Sequence, residues 1–180
     1  MRTMTATAGA MIAGLIHAAT GRERGNRVQL KPGDMAPDFE LPGSDNRVHR
    51  LRDFRGIESV VIAWFPKAFT GGCTLECKSL GSSRDALAGY NARYFAASTD
   101  TPDINRAFAE SLQLGYPVLS DSDKSVARAY GVLGASGFPS RWTFYVGKDG
   151  RILEIEKDVH PSSHGADVAR KLEQLGIPRV

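Results

Sequence analysis

The chain has 180 residues, and its 42% hydrophobic and 24% charged content is typical of globular domains rather than disordered or fibrous proteins. The formal net charge is +3, but residues 1–31 hold five basic residues and one acidic residue, so the rest of the chain is close to neutral. A nucleic-acid surface needs a basic stripe on a folded face, which this distribution does not supply. We therefore expect no nucleic-acid partner.

The sequence contains only two cysteines, Cys73 and Cys77. They are too few and too close together for the disulfide framework of a small secreted protein. The four histidines do not stand at zinc-ligand spacing from them. The sequence therefore implies no metal and no organic cofactor.

Residues 1–27 differ from the rest of the chain, with a run of small residues followed by a polar, arginine-rich segment. The run is too short and too rich in glycine and threonine to span a bilayer. We expect a flexible extension without stable membrane association, followed by one domain at residues 28–180, in a cytoplasmic protein. The alternative is a cleavable signal peptide, with Arg2 as its charged start and Ala18-Ala19 as its cleavage region, which would export the protein to the periplasm.

The domain begins with a hairpin pattern at residues 37–51, in which two short extended segments flank a turn-rich stretch. Residues 59–65 are apolar and β-branched, which is typical of a central strand buried on both faces. A loop follows at residues 66–72, and residues 73–90 have helical spacing.

The second half of the chain continues the alternation of strands and helices, and its clearest pattern is a hairpin with Asp149-Gly150 at the turn. The predicted elements are a strand at 94–98, a helix at 103–114, an extended segment at 116–119, a helix at 124–130, the hairpin at 141–156 and an amphipathic helix at 163–175. This order predicts an α/β sandwich with a central mixed sheet and an N-terminal β-hairpin.

Cys73 lies where a loop after the central strand leads into a helix. Free N–H groups and the positive end of the helix dipole favour a thiolate at such a position. The loop before it also carries a proline, a threonine hydroxyl and the glycine pair Gly71-Gly72, which lets backbone approach a small ligand closely. The pattern predicts a reactive thiol in a pocket for a compact substrate.

These residues resemble the active-site motif of the peroxiredoxins, which has the form Pro66-x-x-x-Thr70-x-x-Cys73. The stretch FPKAFTGGCTLE at residues 65–76 is similar to the bacterioferritin-comigratory, or Q-type, branch of that family. Further similarities lie at residues 36–41, 100, 116–121, 129–132 and 141–150. The resemblance covers residues 28 to 175 and implies a thioredoxin-like fold.

The resemblance implies a peroxidase in which Cys73 attacks the peroxide, Thr70 and Arg141 orient it, and Pro66 shields the sulfur. Attack on an O–O bond puts charge on the departing oxygen, and hydrogen-bond donors held around that oxygen would stabilise it. The product at Cys73 would be a sulfenic acid. Because Arg141 is distant in sequence, only the fold can bring it to Cys73. The expected substrates are hydrogen peroxide and small organic hydroperoxides.

Cys77 departs from the resemblance, because the Q-type branch commonly has its second cysteine five residues after the first rather than four. Residues four apart on a helix have Cβ atoms roughly 5–6 Å apart, whereas a disulfide needs about 3.5–4.5 Å. A Cys73–Cys77 disulfide therefore requires the first turn of the helix to unwind. Such a bridge would be reduced by thioredoxin or a similar thiol reductant. The alternative is a one-cysteine enzyme in which Cys77 is structural.

Other polar and aromatic residues have plain structural interpretations. Glu76 is favourable in the first turn of any helix, and a role in bracing Arg141 is the alternative. Trp64 and Trp142 are predicted to lie in the core. His160 and His164 are predicted to lie exposed in a loop.

A second class of function stays open at this point. The C-x-x-x-C spacing also resembles the copper-binding Sco proteins, and His160 downstream would complete a ligand set with Cys73 and Cys77. Pro66, Thr70 and Arg141 have no use in a copper site, so the thiol peroxidase is favoured. The Q-type resemblance implies a monomer or weak dimer.

Overall fold

The computed structural model describes residues 28–180, so the extension or signal peptide predicted at residues 1–27 lies outside the described residues. The elements in chain order are β1 Glu40–Pro42, β2 Val48–Arg50, a 3-10 helix at Leu51–Phe54, β3 Ser59–Trp64, α1 Gly71–Ser82, α2 Arg84–Ala88, β4 Ala92–Ser98, α3 Pro102–Leu112, β5 Val118–Ser120, α4 Ser125–Ala129, β6 Thr143–Val146, β7 Ile152–Glu156 and α5 His164–Gln174.

The main sheet has five strands in the order β5-β4-β3-β6-β7, with β3 at its centre. β3 runs parallel to β4 and antiparallel to β6, and β1 and β2 form a separate antiparallel hairpin. The predicted mixed sheet and N-terminal hairpin are therefore confirmed. Because of these directions, β3 and β4 end, and β6 begins, at the same end of the sheet.

Side chains alternate across β3 and divide the core into two layers. Val61 and Ala63 face a cluster formed with α1, α2, α3 and α5, while Ile62 and Trp64 face a second cluster formed with the N-terminal segment and α4. All six residues of β3 are buried, as the apolar run at 59–65 predicts. Helices thus cover both faces of the sheet, which confirms the predicted α/β sandwich.

The helix predicted at residues 73–90 is two helices in the structure. α1 begins at Gly71, two residues earlier than predicted, and its end is marked by Ser83 in a non-helical conformation before α2 begins. Serine favours helix boundaries because its hydroxyl competes for backbone hydrogen bonds. The active-site loop is correspondingly shorter than the sequence predicts.

α5 packs closely against α1 at Gly165. A Cβ atom at this position would lie 2.2 Å from the backbone oxygen of Ser79, and the Gly165 N–H donates to the Ser79 hydroxyl at 3.0 Å. The prediction that His164 is exposed is wrong, because it begins α5 and is only 2% exposed. It shares the buried stripe of α5 with Val168 and Leu172, four and eight residues further on.

His160 is exposed as predicted. Trp64 is buried, whereas Trp142 is half-buried with the Lys157 ammonium 4.4 Å from its ring centre. Trp142 comes before β6 rather than within it, which explains its partial exposure. Between residues 28 and 180, no helix has both the length and the apolar character needed to cross a membrane.

Candidate active site

The loop that follows β3 is fixed to the end of β4. The Ala68 N–H donates to the Asp100 carboxylate at 2.8 Å, and the Ser98 hydroxyl donates to the same carboxylate oxygen at 3.0 Å. Asp100 therefore holds the middle of the loop that leads from half-buried Pro66 to Thr70. The sequence singles out Asp100 only as a point of resemblance and not as the anchor of this loop.

Thr70 is the N-cap residue of α1, but its side chain does not cap the helix. Its hydroxyl donates instead to the backbone oxygen of Lys67 at 2.9 Å. The hydroxyl proton is thereby committed within the loop, while the oxygen retains lone pairs that can accept a hydrogen bond. The Thr70 oxygen is therefore free to accept a hydrogen bond, and its role in orienting a peroxide stays a prediction.

Cys73 lies in the first turn of α1, and its side chain is 1% exposed. Arg141, which comes just before β6, donates from Nη2 to the Cys73 sulfur at 3.4 Å. The fold thus brings together the two residues that lie 68 positions apart in sequence. Arg141 therefore places a positive charge and a hydrogen-bond donor against the Cys73 sulfur.

Gly72 explains how the guanidinium comes so close. A Cβ atom at Gly72 would lie 3.1 Å from Arg141 Nη2, whereas a Cβ atom at Gly71 would have open space around it. Gly72, and not Gly71, is thus the position at which the absence of a side chain admits the guanidinium. The first helical hydrogen bond of α1 runs from the Thr74 N–H to the Thr70 oxygen, so the N–H groups of Gly71, Gly72 and Cys73 have no partner within the helix.

Glu76 lies one turn after Cys73 and is buried with 2% exposure. Its Oε2 atom forms an ion pair with Arg141 Nη1, so Glu76 does contact the arginine as the alternative interpretation suggests. Burial raises the pKa of Glu76 to about 7, with Arg141 acting in the opposite direction. Cys73 and Glu76 therefore contact the same guanidinium through its two terminal nitrogens.

Cys77 is also 1% exposed, but it has different surroundings. The Tyr116 hydroxyl donates to the backbone oxygen of Cys77 at 2.9 Å. Burial is the main cause that raises the pKa of the Cys77 thiol, and the charge of Glu76 adds to it. Both cysteines are free thiols, and α1 is continuous through them.

His164 and Thr143 are polar neighbours of this site that the sequence analysis missed. His164 Nε2 lies 2.9 Å from the Thr143 hydroxyl, and His164 Nδ1 lies 3.3 Å from Glu76 Oε1. Burial lowers the pKa of His164 to about 4, which keeps its ring neutral near pH 7. The available signal was the spacing of His164 from Val168 and Leu172 on the buried face of α5.

The alternative prediction, that Cys73, Cys77 and His160 together bind copper, is wrong. His160 lines a surface cavity between the segment after β7 and helix α5, and neither cysteine lines that cavity. Across residues 28–180, no group of three or more histidine, cysteine, aspartate or glutamate side chains is arranged to hold a metal ion. The loop at 157–163 places His160 on the surface, whereas both cysteines lie on the buried face of α1.

A buried thiol at the first turn of a helix, directly after the central strand of this mixed sheet, defines a thioredoxin-like thiol enzyme. Residues 32–155 match the model of the AhpC/TSA family. The chain belongs to this family, and it is a peroxidase of the peroxiredoxin type.

Individual relatives agree with this assignment. Peroxiredoxin Bcp of Escherichia coli K12 is 35% identical over 142 residues, which cover 75% of this chain and 90% of that protein. The crystal structure of peroxidoxin BcpB from Mycobacterium tuberculosis matches with a TM-score of 0.74 and 30% identity, over 81% of this chain and 98% of that one. A mutant of PrxQ from Xylella fastidiosa has the same fold, with a TM-score of 0.76 and 23% identity over 83% and 99% of the two chains. The Q-type resemblance is therefore confirmed.

Proposed function

We propose that this peroxidase reduces hydrogen peroxide and small organic hydroperoxides, and that Cys73 is the thiol that attacks them. The observation that carries the proposal is the contact of 3.4 Å between Arg141 Nη2 and the Cys73 sulfur at the start of α1. The guanidinium and the helix N-terminus both favour the thiolate, which is the nucleophilic form of cysteine.

In the proposed reaction, the Cys73 thiolate attacks one peroxide oxygen, so that an S–O bond forms while the O–O bond breaks. The second oxygen leaves with the electron pair of that bond and takes up a proton, becoming water or an alcohol. Arg141 and the Cys73 N–H stabilise the charge on the departing oxygen, while the Thr70 oxygen accepts the hydrogen bond of the peroxide O–H. Cys73 is left as a sulfenic acid.

The preference for compact substrates follows from the burial of the sulfur. Cys73 is 1% exposed, and the loop from Pro66 to Thr70 is fixed by the Asp100 carboxylate. A bulky hydroperoxide would have to displace this loop, whereas hydrogen peroxide is small enough to reach the sulfur with little movement. Pro66 is assigned the role of shielding the sulfur from water.

We further propose that Cys77 resolves the sulfenic acid. The first turns of α1 unwind, the Cys77 thiolate attacks the Cys73 sulfur, an S–S bond forms and the hydroxyl group leaves as water. Thioredoxin or a similar thiol reductant then supplies two electrons and two protons and restores both thiols. The proposed enzyme acts in the cytoplasm as a monomer or weak dimer, which sedimentation of the purified chain would test.

A one-cysteine cycle is the second candidate, and the surroundings of Cys77 favour it. Its thiol is buried with a raised pKa, and its backbone oxygen is held by Tyr116. In that cycle Cys77 only packs against the sheet, and an external thiol attacks the sulfenic acid of Cys73 directly.

The intact mass of the reduced protein, measured after one equivalent of hydrogen peroxide and an acid quench within seconds, separates these possibilities. Loss of two hydrogens is expected for a Cys73–Cys77 disulfide, and gain of oxygen is the result of a one-cysteine cycle. Cys77→Ser should gain oxygen in either case, and Cys73→Ser should stay unchanged. Retention of peroxide turnover by Cys73→Ser would refute the assignment of the attacking thiol.

A further inference from the structure

A buried polar chain leads from α5 to the sulfur of Cys73. His164 lies between the Thr143 hydroxyl, 2.9 Å from its Nε2 atom, and Glu76 Oε1, 3.3 Å from its Nδ1 atom. The other oxygen of Glu76 pairs with Arg141, which contacts the Cys73 sulfur. His164 and Glu76 are each 2% exposed, so bulk water does not compete for these contacts.

The contact between His164 Nδ1 and Glu76 Oε1 is close but not aligned. Within residues 28–180, neither atom has a hydrogen bond of good geometry with any other group. Buried polar atoms without partners are rare in proteins, and the two atoms face each other. A small rotation of the ring or of the carboxyl group would join them, provided that one of the two carries a proton.

The proton position on His164 decides which form of Glu76 fits. Because burial lowers the pKa of His164 to about 4, its ring is neutral near pH 7 and carries one N–H. If the Thr143 hydroxyl donates to Nε2, the proton is on Nδ1 and is donated to Glu76, which suits an ionised carboxylate. If the proton is on Nε2, a bare Nδ1 faces the carboxyl group, and only protonated Glu76 fits.

We propose that His164 is a positioning residue that donates from Nδ1 to Glu76 and thereby keeps the carboxylate in the orientation that holds Arg141 against Cys73. The inference rests on the proposed function, in which Arg141 acts on the peroxide together with Cys73. A buried carboxylate that loses one of its two donors becomes protonated more readily. A protonated Glu76 pairs weakly with the guanidinium, which is then free to turn away from the sulfur.

This arrangement links the reactivity of Cys73 to pH through Glu76. Burial raises the pKa of Glu76 to about 7 even with Arg141 beside it, and without the His164 proton we expect ionisation only at higher pH. The other titratable groups around the pair include Cys73 and Cys77 on α1, Tyr116 before β5, Tyr145 on β6 and Asp167 on α5. The cavity beside His164 is also lined by Glu156, Asp158, His160, Arg170 and Lys171. The variants described next leave all of these groups in place.

Two substitutions of His164 separate the roles of its two ring nitrogens. His164→Asn puts an amide nitrogen near the place of Nδ1 and keeps a donor toward Glu76, whereas His164→Gln puts its amide near the place of Nε2 and keeps only the contact with Thr143. Loss of reduced protein after addition of hydrogen peroxide, followed by acid quench and intact mass from pH 6 to 9, gives the rate of Cys73 oxidation. We expect His164→Asn to stay within about twofold of the wild type and His164→Gln to be about tenfold slower at pH 7, recovering toward pH 9.

Thr143→Val gives a second test that leaves the ring in place. It removes the hydroxyl that, in this proposal, stabilises the Nδ1 tautomer by donating to Nε2, and it is nearly isosteric, so it should slow the reaction less than His164→Gln but with the same pH dependence. Thermal unfolding of the three variants reports their folding. Equal slowing by His164→Asn and His164→Gln, or slowing that is the same at every pH, would mean that His164 only packs in the core and would overturn the proposal.

The alkylation of Cys73 by iodoacetamide keeps this test independent of the peroxide reaction. A correctly placed Arg141 makes the sulfur more nucleophilic, so alkylation at pH 7 should be slower in His164→Gln but not in His164→Asn. A wild-type protein that is inert to peroxide would refute the proposed function. Slower alkylation of His164→Gln than of His164→Asn would then still support the role of His164. Identical alkylation profiles for both variants would contradict it.

Discussion

The two cysteines of α1 are equally buried, yet their surroundings differ. Cys73 and Cys77 are each 1% exposed and lie one turn apart. The sulfur of Cys73 contacts the Arg141 guanidinium, whereas Cys77 has its backbone oxygen held by Tyr116 and a thiol whose pKa is raised by burial. The comparison teaches that two equally buried thiols on one helix can differ in their charged neighbours, and we therefore expect them to differ in reactivity.

The largest effect is expected when the charged partner of Cys73 is removed. Arg141→Met keeps much of the side-chain length but removes the donor to the sulfur, and we expect Cys73 oxidation to slow about 10²–10³-fold, as on loss of one oxyanion donor. Rapid-quench intact mass measures this rate. Arg93→Met removes an exposed arginine that pairs with Glu58 and serves as the control. If the rate of Cys73 oxidation falls less than threefold in Arg141→Met, the contact with Arg141 does not distinguish the reactivity of Cys73 from that of Cys77.

Glu76 lies between Cys73 and Cys77 in the sequence of α1. Its ionisation predicts how the free energy of unfolding depends on pH. Its pKa is about 7 in the folded protein against an ordinary value of 4.5, so the folded state binds more protons than the unfolded state between these values. The contribution of Glu76 to stability is therefore present below about pH 4.5 and is lost as the pH rises through about 7. The loss amounts to about 3 kcal/mol.

Glu76→Gln should be free of this loss. Denaturant unfolding of both proteins from pH 4.5 to 8 gives the difference in their free energies of unfolding, and this difference should change by about 3 kcal/mol in favour of the variant. The buried His164 has a lowered pKa, so its own contribution to stability rises with pH, in the opposite direction to that of Glu76. A difference that stays constant with pH would show that Glu76 is ionised across the whole range.

The glycines before Cys73 offer a matched pair of smaller changes. Gly72→Ala would place a Cβ atom 3.1 Å from Arg141 Nη2, whereas Gly71→Ala would add its methyl group in open space. We expect the first to displace the guanidinium and to slow Cys73 oxidation about tenfold, and the second to have little effect. Equal rates for the two variants would show that Arg141 tolerates a small displacement.

The sequence predicts the local structure around Cys73 well, because the residues concerned are close together in the chain. Pro66, Thr70 and Cys73 lie in one loop and one helical turn, and the apolar run at 59–65 correctly predicts the strand that supports them. Arg141 was found only through the resemblance, because no local pattern distinguishes an arginine before a strand from a solvent-exposed one. Its position depends on the antiparallel pairing of β3 with β6.

The parts that the sequence analysis missed depend on contacts between helices. The sequence analysis predicts an exposed loop position for His164, but Gly165 allows α5 to begin directly against α1. That close approach buries His164 beside Glu76. Helical periodicity extended back from Val168 and Leu172 would have predicted the burial, but not the partner.

The smallest effect is expected for a substitution that changes the surroundings of Cys77. Tyr116→Phe removes the hydroxyl that donates to the Cys77 oxygen and keeps the ring. If Cys77 resolves the sulfenic acid by unwinding of α1, loss of this bond should make the turn easier to open and disulfide formation about fivefold faster, the equivalent of about 1 kcal/mol. Oxidation of Cys73 itself should not change.

Rapid-quench mass spectrometry follows both steps, because the sulfenic acid and the disulfide differ in mass. Tyr94→Phe is the control, since the Tyr94 ring packs 5.4 Å from the Tyr116 ring and its hydroxyl is not the donor to Cys77. A faster second step in Tyr116→Phe alone would identify opening of α1 as the slow event of resolution. An unchanged second step would mean that Tyr116 does not restrain Cys77. The raised pKa of the Cys77 thiol would then be the remaining barrier, and the disulfide should form faster as the pH rises.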